Sequence, residues 1–81
     1  MTRYFFDIDN GDGFIPDQMG KNLDRNVEIT DEIAQIVTDI SNDEINGRDD
    51  FRVKVSVRDE AGNPIAVSTM TFATEWLKKE S

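Results

Sequence analysis

Carboxylates are the side chains this 81-residue chain offers most freely for chemistry: 17 Asp and Glu stand beside no His and no Cys. The usual neutral-pH general base, the thiolate nucleophile and the nitrogen and sulfur ligands of zinc are therefore missing. The nearest thing to a ligand motif is Asp7, Asp9 and Asp12 in D-I-D-N-G-D-G. Alternating oxygens on a turning backbone suit a hard cation such as calcium. The spacing departs from a calcium loop begun at Asp7, because Asp12 falls where the invariant glycine belongs and Gln18 where the bidentate glutamate belongs. A Gly/Asp hairpin turn is the plainer reading. An enzyme would need Asp or Glu as both acid and base, converging in a cleft. No carboxylate here has that setting, so the chain is expected to be non-catalytic, with no cofactor and no assigned metal ligand.

The elements that position these residues follow from periodicity. Tyr4-Phe5-Phe6-Asp7-Ile8 is rich in strand-forming aromatics, with Tyr4, Phe6 and Ile8 on one face and Arg3, Phe5 and Asp7 on the other. Asn10-Gly11-Asp12-Gly13 supplies a tight turn, and Phe14-Ile15 returns as a short strand ended by Pro16. Asp17-Gln18-Met19-Gly20 reads as a further turn, after which Leu23 anchors the connection to the core. Ile29, Ile33, Ile36, Val37 and Ile40 recur at helical spacing, predicting one amphipathic helix over about 27–45, with Asn26 as N-cap and Gly47 as its stop.

Residues 51–58, F-R-V-K-V-S-V-R, alternate strictly, with Phe51, Val53, Val55 and Val57 pointing inward. Asp59 to Pro64 forms a turn and residues 65–74 a last strand, whose Met70 and Phe72 are assigned to the core. The expected fold is α+β in the order β-β-α-β-β, an antiparallel sheet with one helix packed on one face. Residues 1–75 form a single small domain and 76–81 a C-terminal tail, which Trp76 is expected to lock in place. A domain this small is marginal by itself, and self-association would stabilise it.

The face opposite the helix is the candidate binding surface. Alternation gathers Phe5, Arg52, Lys54, Arg58, Ile65 and Val67 there, and apolar side chains interleaved with cations on an uncovered sheet suit an interface. Such a face would pair with its own copy as a homodimer or receive an acidic protein segment. The plainer alternative is a solvated face whose cations pair across strands with Asp7 and similar acids. A regulatory module binding calcium at the Asp7–Asp12 turn, or single-stranded nucleic acid on the basic strand, is the second reading. The net charge of −8 opposes nucleic acid. The chain contains no apolar run long enough to span a bilayer, and a cytoplasmic location is expected.

R-Y-F-F-D at 3–7, D-x-x-G at 17–20, the amphipathic helix and V-R-D-E-A-G-N-P at 57–64 together resemble the DUF6894 family of short alphaproteobacterial proteins of unknown function. The resemblance extends over essentially the whole chain. It implies a small stand-alone bacterial domain and brings no catalytic residue or cofactor with it. The helix departs from the family's usual pattern, carrying β-branched Ile and Val where Ala and Leu are commoner.

Overall fold

The computed structural model describes residues 2–44, 47 and 49–78. Residue 1, the expected helix end at residue 45 and the tail beyond residue 78 lie outside the described residues. In chain order the elements are β1 (Thr2–Asp9), β2 (Phe14–Ile15), β3 (Lys21–Leu23), α1 (Asn26–Glu44), β4 (Asp50–Asp59) and β5 (Pro64–Ala73). The described strands make one antiparallel sheet with β1 and β4 at its centre, β5 at one edge, and β2 and β3 sharing the other edge. This is the expected α+β arrangement with one strand more, in the order β-β-β-α-β-β. The added strand β3 has three residues, too few to leave a periodic trace, and its core anchor is Leu23 as expected.

Helix α1 starts one residue earlier than its pattern suggests. The Ile29 N–H donates to the Arg25 carbonyl at 3.2 Å, which makes Arg25, not Asn26, the N-cap. Glu28 reaches back, its Oε1 accepting from the Arg25 N–H at 3.1 Å, the reciprocal half of a capping box. One stripe of the helix then meets the sheet: Ile29 and Ile33 join Phe6, Leu23, Val55 and Val57 in a buried cluster flanked by Tyr4, Ile36, Val37 and Ala66. Each such side chain contributes about 1.5–3 kcal/mol by leaving water. Val53 and Phe51 are buried along the same face of β4.

Two apolar residues sit differently from expectation. Phe72 lies opposite Phe51 in the register, on the helix side of the sheet, but it is at the edge and 37% exposed. Trp76 is 67% exposed and Leu77 93%, so the tail is not locked onto the domain by the tryptophan.

Candidate functional site

The cross-strand register builds the open face. Phe5 lies opposite Arg58, Asp7 opposite Ser56 and Asp9 opposite Lys54, while β5 sets Thr71 beside Arg52, Thr69 beside Lys54 and Val67 beside Ser56. Five of the six expected contact residues, Phe5, Arg52, Lys54, Arg58 and Val67, therefore share this face. Ile65 does not follow by alternation. The register shifts between Val57 and Arg58, and Ile65 lines a groove of about 250 Å³ with Asn26, Ile29 and Ile33 of α1. An extra residue in one strand breaks the period of two on which the assignment rested.

The six-residue set divides into a locked part and a free part. Arg58 Nε donates to Asp7 Oδ2 at 2.9 Å, and its guanidinium lies 4.6 Å from the centroid of the Phe5 ring, a cation–π distance. Its Nη2 donates to the Asp17 carbonyl at 3.0 Å. The side chains of Arg52 and Lys54 are exposed and make no hydrogen bond or ion pair to the described residues. They line a polar hollow of about 340 Å³ together with Asp9, Gly11 and Thr69. Val67, 60% exposed, stands on the next strand.

The sequence reading missed what joins the locked part together. Between its pairings with β3 (Thr2–Tyr4) and β2 (Ile8–Asp9), β1 leaves Phe5, Phe6 and Asp7 without a strand at that edge. Asp17 fills the gap. Its Oδ2 accepts from the Phe6 N–H at 3.0 Å, and its Oδ1 accepts from the Met19 and Gly20 N–H groups at 3.0 and 3.1 Å. The Asp17 N–H in turn donates to Asp7 Oδ1 at 2.9 Å, and the Arg3 guanidinium donates to the Met19 carbonyl. R-Y-F-F-D, D-x-x-G and the V-R of the later motif are thus three parts of one network. The signal available in sequence was the aspartate two and three residues before the Met19 and Gly20 amides, the spacing at which Asx side chains bond their own backbone.

The turn acids are similarly occupied. Asp9 Oδ1 accepts from the Gly11 N–H at 3.0 Å and Asn10 Oδ1 accepts from Asp12 and Gly13, which folds the turn that Gly11, at φ 89°, makes possible. Among the described residues, no group of three or more acidic, His or Cys side chains is arranged to hold a metal ion. On the helix side, a cleft of about 430 Å³ runs between α1 and the β2–β3 edge, lined by Phe6, Ile8, Ile15 and Ile36. The Lys21–Glu32 ion pair, at 2.6 Å, belongs to the same cleft.

Burial pushes the Asp7 carboxyl up, but hydrogen bonds from Arg58 and the Asp17 N–H, with the Arg58 charge, bring it below its ordinary 3.8. Asp17 is likewise raised by burial and then lowered past 3.8 by the Phe6, Gly20 and Met19 amides and by Arg58. Both groups bind protons less readily folded than unfolded, so their stabilisation is complete above the ordinary value and is lost as the pH falls through the folded values. The melting temperature is expected to drop as the pH goes below 3.8, and to drop less in Asp7→Asn, whose starting stability is already lower. Circular-dichroism melts across a pH series check this; equal acid sensitivity in both proteins would remove the network as the cause.

Among the described residues, no helix is long and apolar enough to cross a membrane. Comparison with curated proteins and with solved structures finds no match. The DUF6894 family, described as a domain of unknown function, matches residues 3–71. That span takes in the Asp7–Asp17–Arg58 network, the helix and most of the sheet, and the chain belongs to this family.

Proposed function

We propose that the protein is a small, non-catalytic interaction module of the bacterial cytoplasm that receives a protein surface on its open sheet face. The observation that carries this is the pair Arg52 and Lys54, whose side chains are exposed beside Val67 and unpaired among the described residues in a chain of net charge −8. Two cations held side by side on a rigid strand, in an otherwise acidic molecule, select for an acidic partner segment and against non-specific contact. Arg58 and Phe5 are the support of this surface more than its free contacts, since Arg58 is held by Asp7 and by the Asp17 carbonyl.

The second reading has less behind it. Both oxygens of Asp7 accept hydrogen bonds within the protein, which leaves calcium a poorer set of ligands at the Asp7–Asp12 turn. A single strand would stack on Phe5, and the Arg58 guanidinium lies over that ring.

Titration with a glutamate-rich peptide, followed by amide NMR shifts, tests the proposal. Saturable changes centred on Arg52, Lys54, Val67 and Thr69 are expected, falling by at least about tenfold in affinity when both cations are reversed in R52E/K54E, since each lost charge contact is worth on the order of 1 kcal/mol. Shifts spread evenly over the molecule, or unchanged binding by the double variant, would overturn the assignment.

A further inference from the structure

We propose that β5 is a self-association edge: two copies join their β5 strands antiparallel about a two-fold axis and continue one sheet through both molecules. Among the described residues, β5 pairs with β4 alone. Its other side presents main-chain donors and acceptors that no described residue pairs, along ten residues, a length of about 34 Å in extended chain. Proteins blunt such an edge by keeping it short, by bending it with bulges, or by placing Lys or Pro within it. Here Pro64 is the first residue of the strand, the register shift lies at that same end, and Ala66 to Ala73 pair with β4 without interruption. No residue from Pro64 to Ala73 carries a charge, in a chain whose residues are 32% charged.

Charge selects the occupant. Two copies of net charge −8 repel one another and need a line of contact free of carboxylates, which β5 supplies to both. Geometry narrows the pairing further. A two-fold axis perpendicular to the sheet keeps each residue on its own face, so residues paired across it must both be odd-numbered or both even-numbered. Near the middle of the strand this sets Ser68 or Thr69 on the axis. With Thr69 there, Val67 meets Thr71 of the second copy and Ser68 meets its Met70, pairs of matching face. Both helices then cover one side, and the two open faces run together on the other. The inference uses the edge backbone and not the face, so it stands or falls apart from the proposed function.

Light scattering and amide hydrogen exchange at micromolar and millimolar protein test it. The expected result is a mass rising from 9.2 kDa toward twice that value. With it, alternate amides of Ala66–Phe72, those directed away from β4, should exchange about tenfold more slowly or better in the concentrated sample. Thr69→Lys, which brings two like charges together near the axis, is expected to abolish both effects with an unchanged circular-dichroism spectrum, and R52E/K54E to retain both. A mass of 9.2 kDa at millimolar concentration overturns the proposal. So does a doubled mass in which the outward β5 amides exchange as fast as in the dilute sample, the signature of pairing by a face. If the lysine variant fails to fold, the exchange pattern of the natural sequence decides.

Discussion

Gly20→Ala is expected to destabilise the protein by about 2–4 kcal/mol, combining the strain of a left-handed residue with overpacking. Gly20 has φ 72°, a conformation in which a Cβ is strained whatever surrounds it. The surroundings are also closed. An added Cβ would lie 2.9 Å from Arg3 Cγ and from Phe5 Cε2, and 3.0 Å from the Tyr4 carbonyl oxygen. None of the three yields readily: the Arg3 guanidinium is held by the Met19 carbonyl, the Phe5 ring lies against Arg58, and the third atom is backbone in β1. At roughly 4–8 °C per kcal/mol for a domain of this size, the melting temperature should fall by about 10–30 °C. Two other glycines separate the contributions. Gly11 has φ 89° and open space around it, so Gly11→Ala carries the backbone strain alone, about 1–2 kcal/mol. Gly13 has neither constraint, and Gly13→Ala should fall within about 0.5 kcal/mol of the natural sequence. A melting temperature for Gly20→Ala equal to that of Gly11→Ala would mean that β1 gives way at no penalty.

Asp17→Ala should produce a loss of similar size, about 2–3 kcal/mol, because one side chain satisfies three backbone donors and one of them has no other partner. The Met19 amide is exposed and finds water when the carboxylate goes. The Phe6 amide does not, since Phe6 is buried and its strand has no neighbour at that position. Leaving a buried donor unpaired costs about 1–3 kcal/mol. Asp7→Ala removes the acceptor of the Asp17 N–H and the partner of Arg58 together. The two residues act in one network, so the double variant should lose about 1 kcal/mol less than the sum of the singles in denaturant unfolding. Simple additivity would show that the two carboxylates stabilise separate parts of the fold.

The parts of the structure governed by repetition were legible in the sequence. The alternation from Phe51 to Val57 places four side chains in the core, each with 3% exposure or less. The spacing of Ile29 and Ile33 aims the helix stripe at that same core. Departures from repetition left no such trace. The bulge at Val57/Arg58 shifts Ile65, and three residues are enough for β3, because both are set by which backbone groups find partners across the sheet. The helix cap moved from Asn26 to Arg25 because Glu28 supplies the reciprocal bond, a contribution a residue ranking at the cap position alone does not include. The binding face divides the same way. Register placed Arg52, Lys54 and Val67 together as alternation required, whereas the commitment of Arg58 to Asp7 is a contact between residues 51 positions apart.

The plugged edge of β1 also decides what kind of assembly this sheet permits. β2 and β3 are two and three residues long and are parted by the Asp17–Gly20 segment, so that side offers an arriving strand no continuous template. A sheet with two bare edges adds copies head to tail without limit and becomes a fibre, whereas one with a single usable edge is exhausted by its first pairing. Asp17, by sealing one flank, would hold the β5 pairing we propose to two copies and keep it from extending into a polymer.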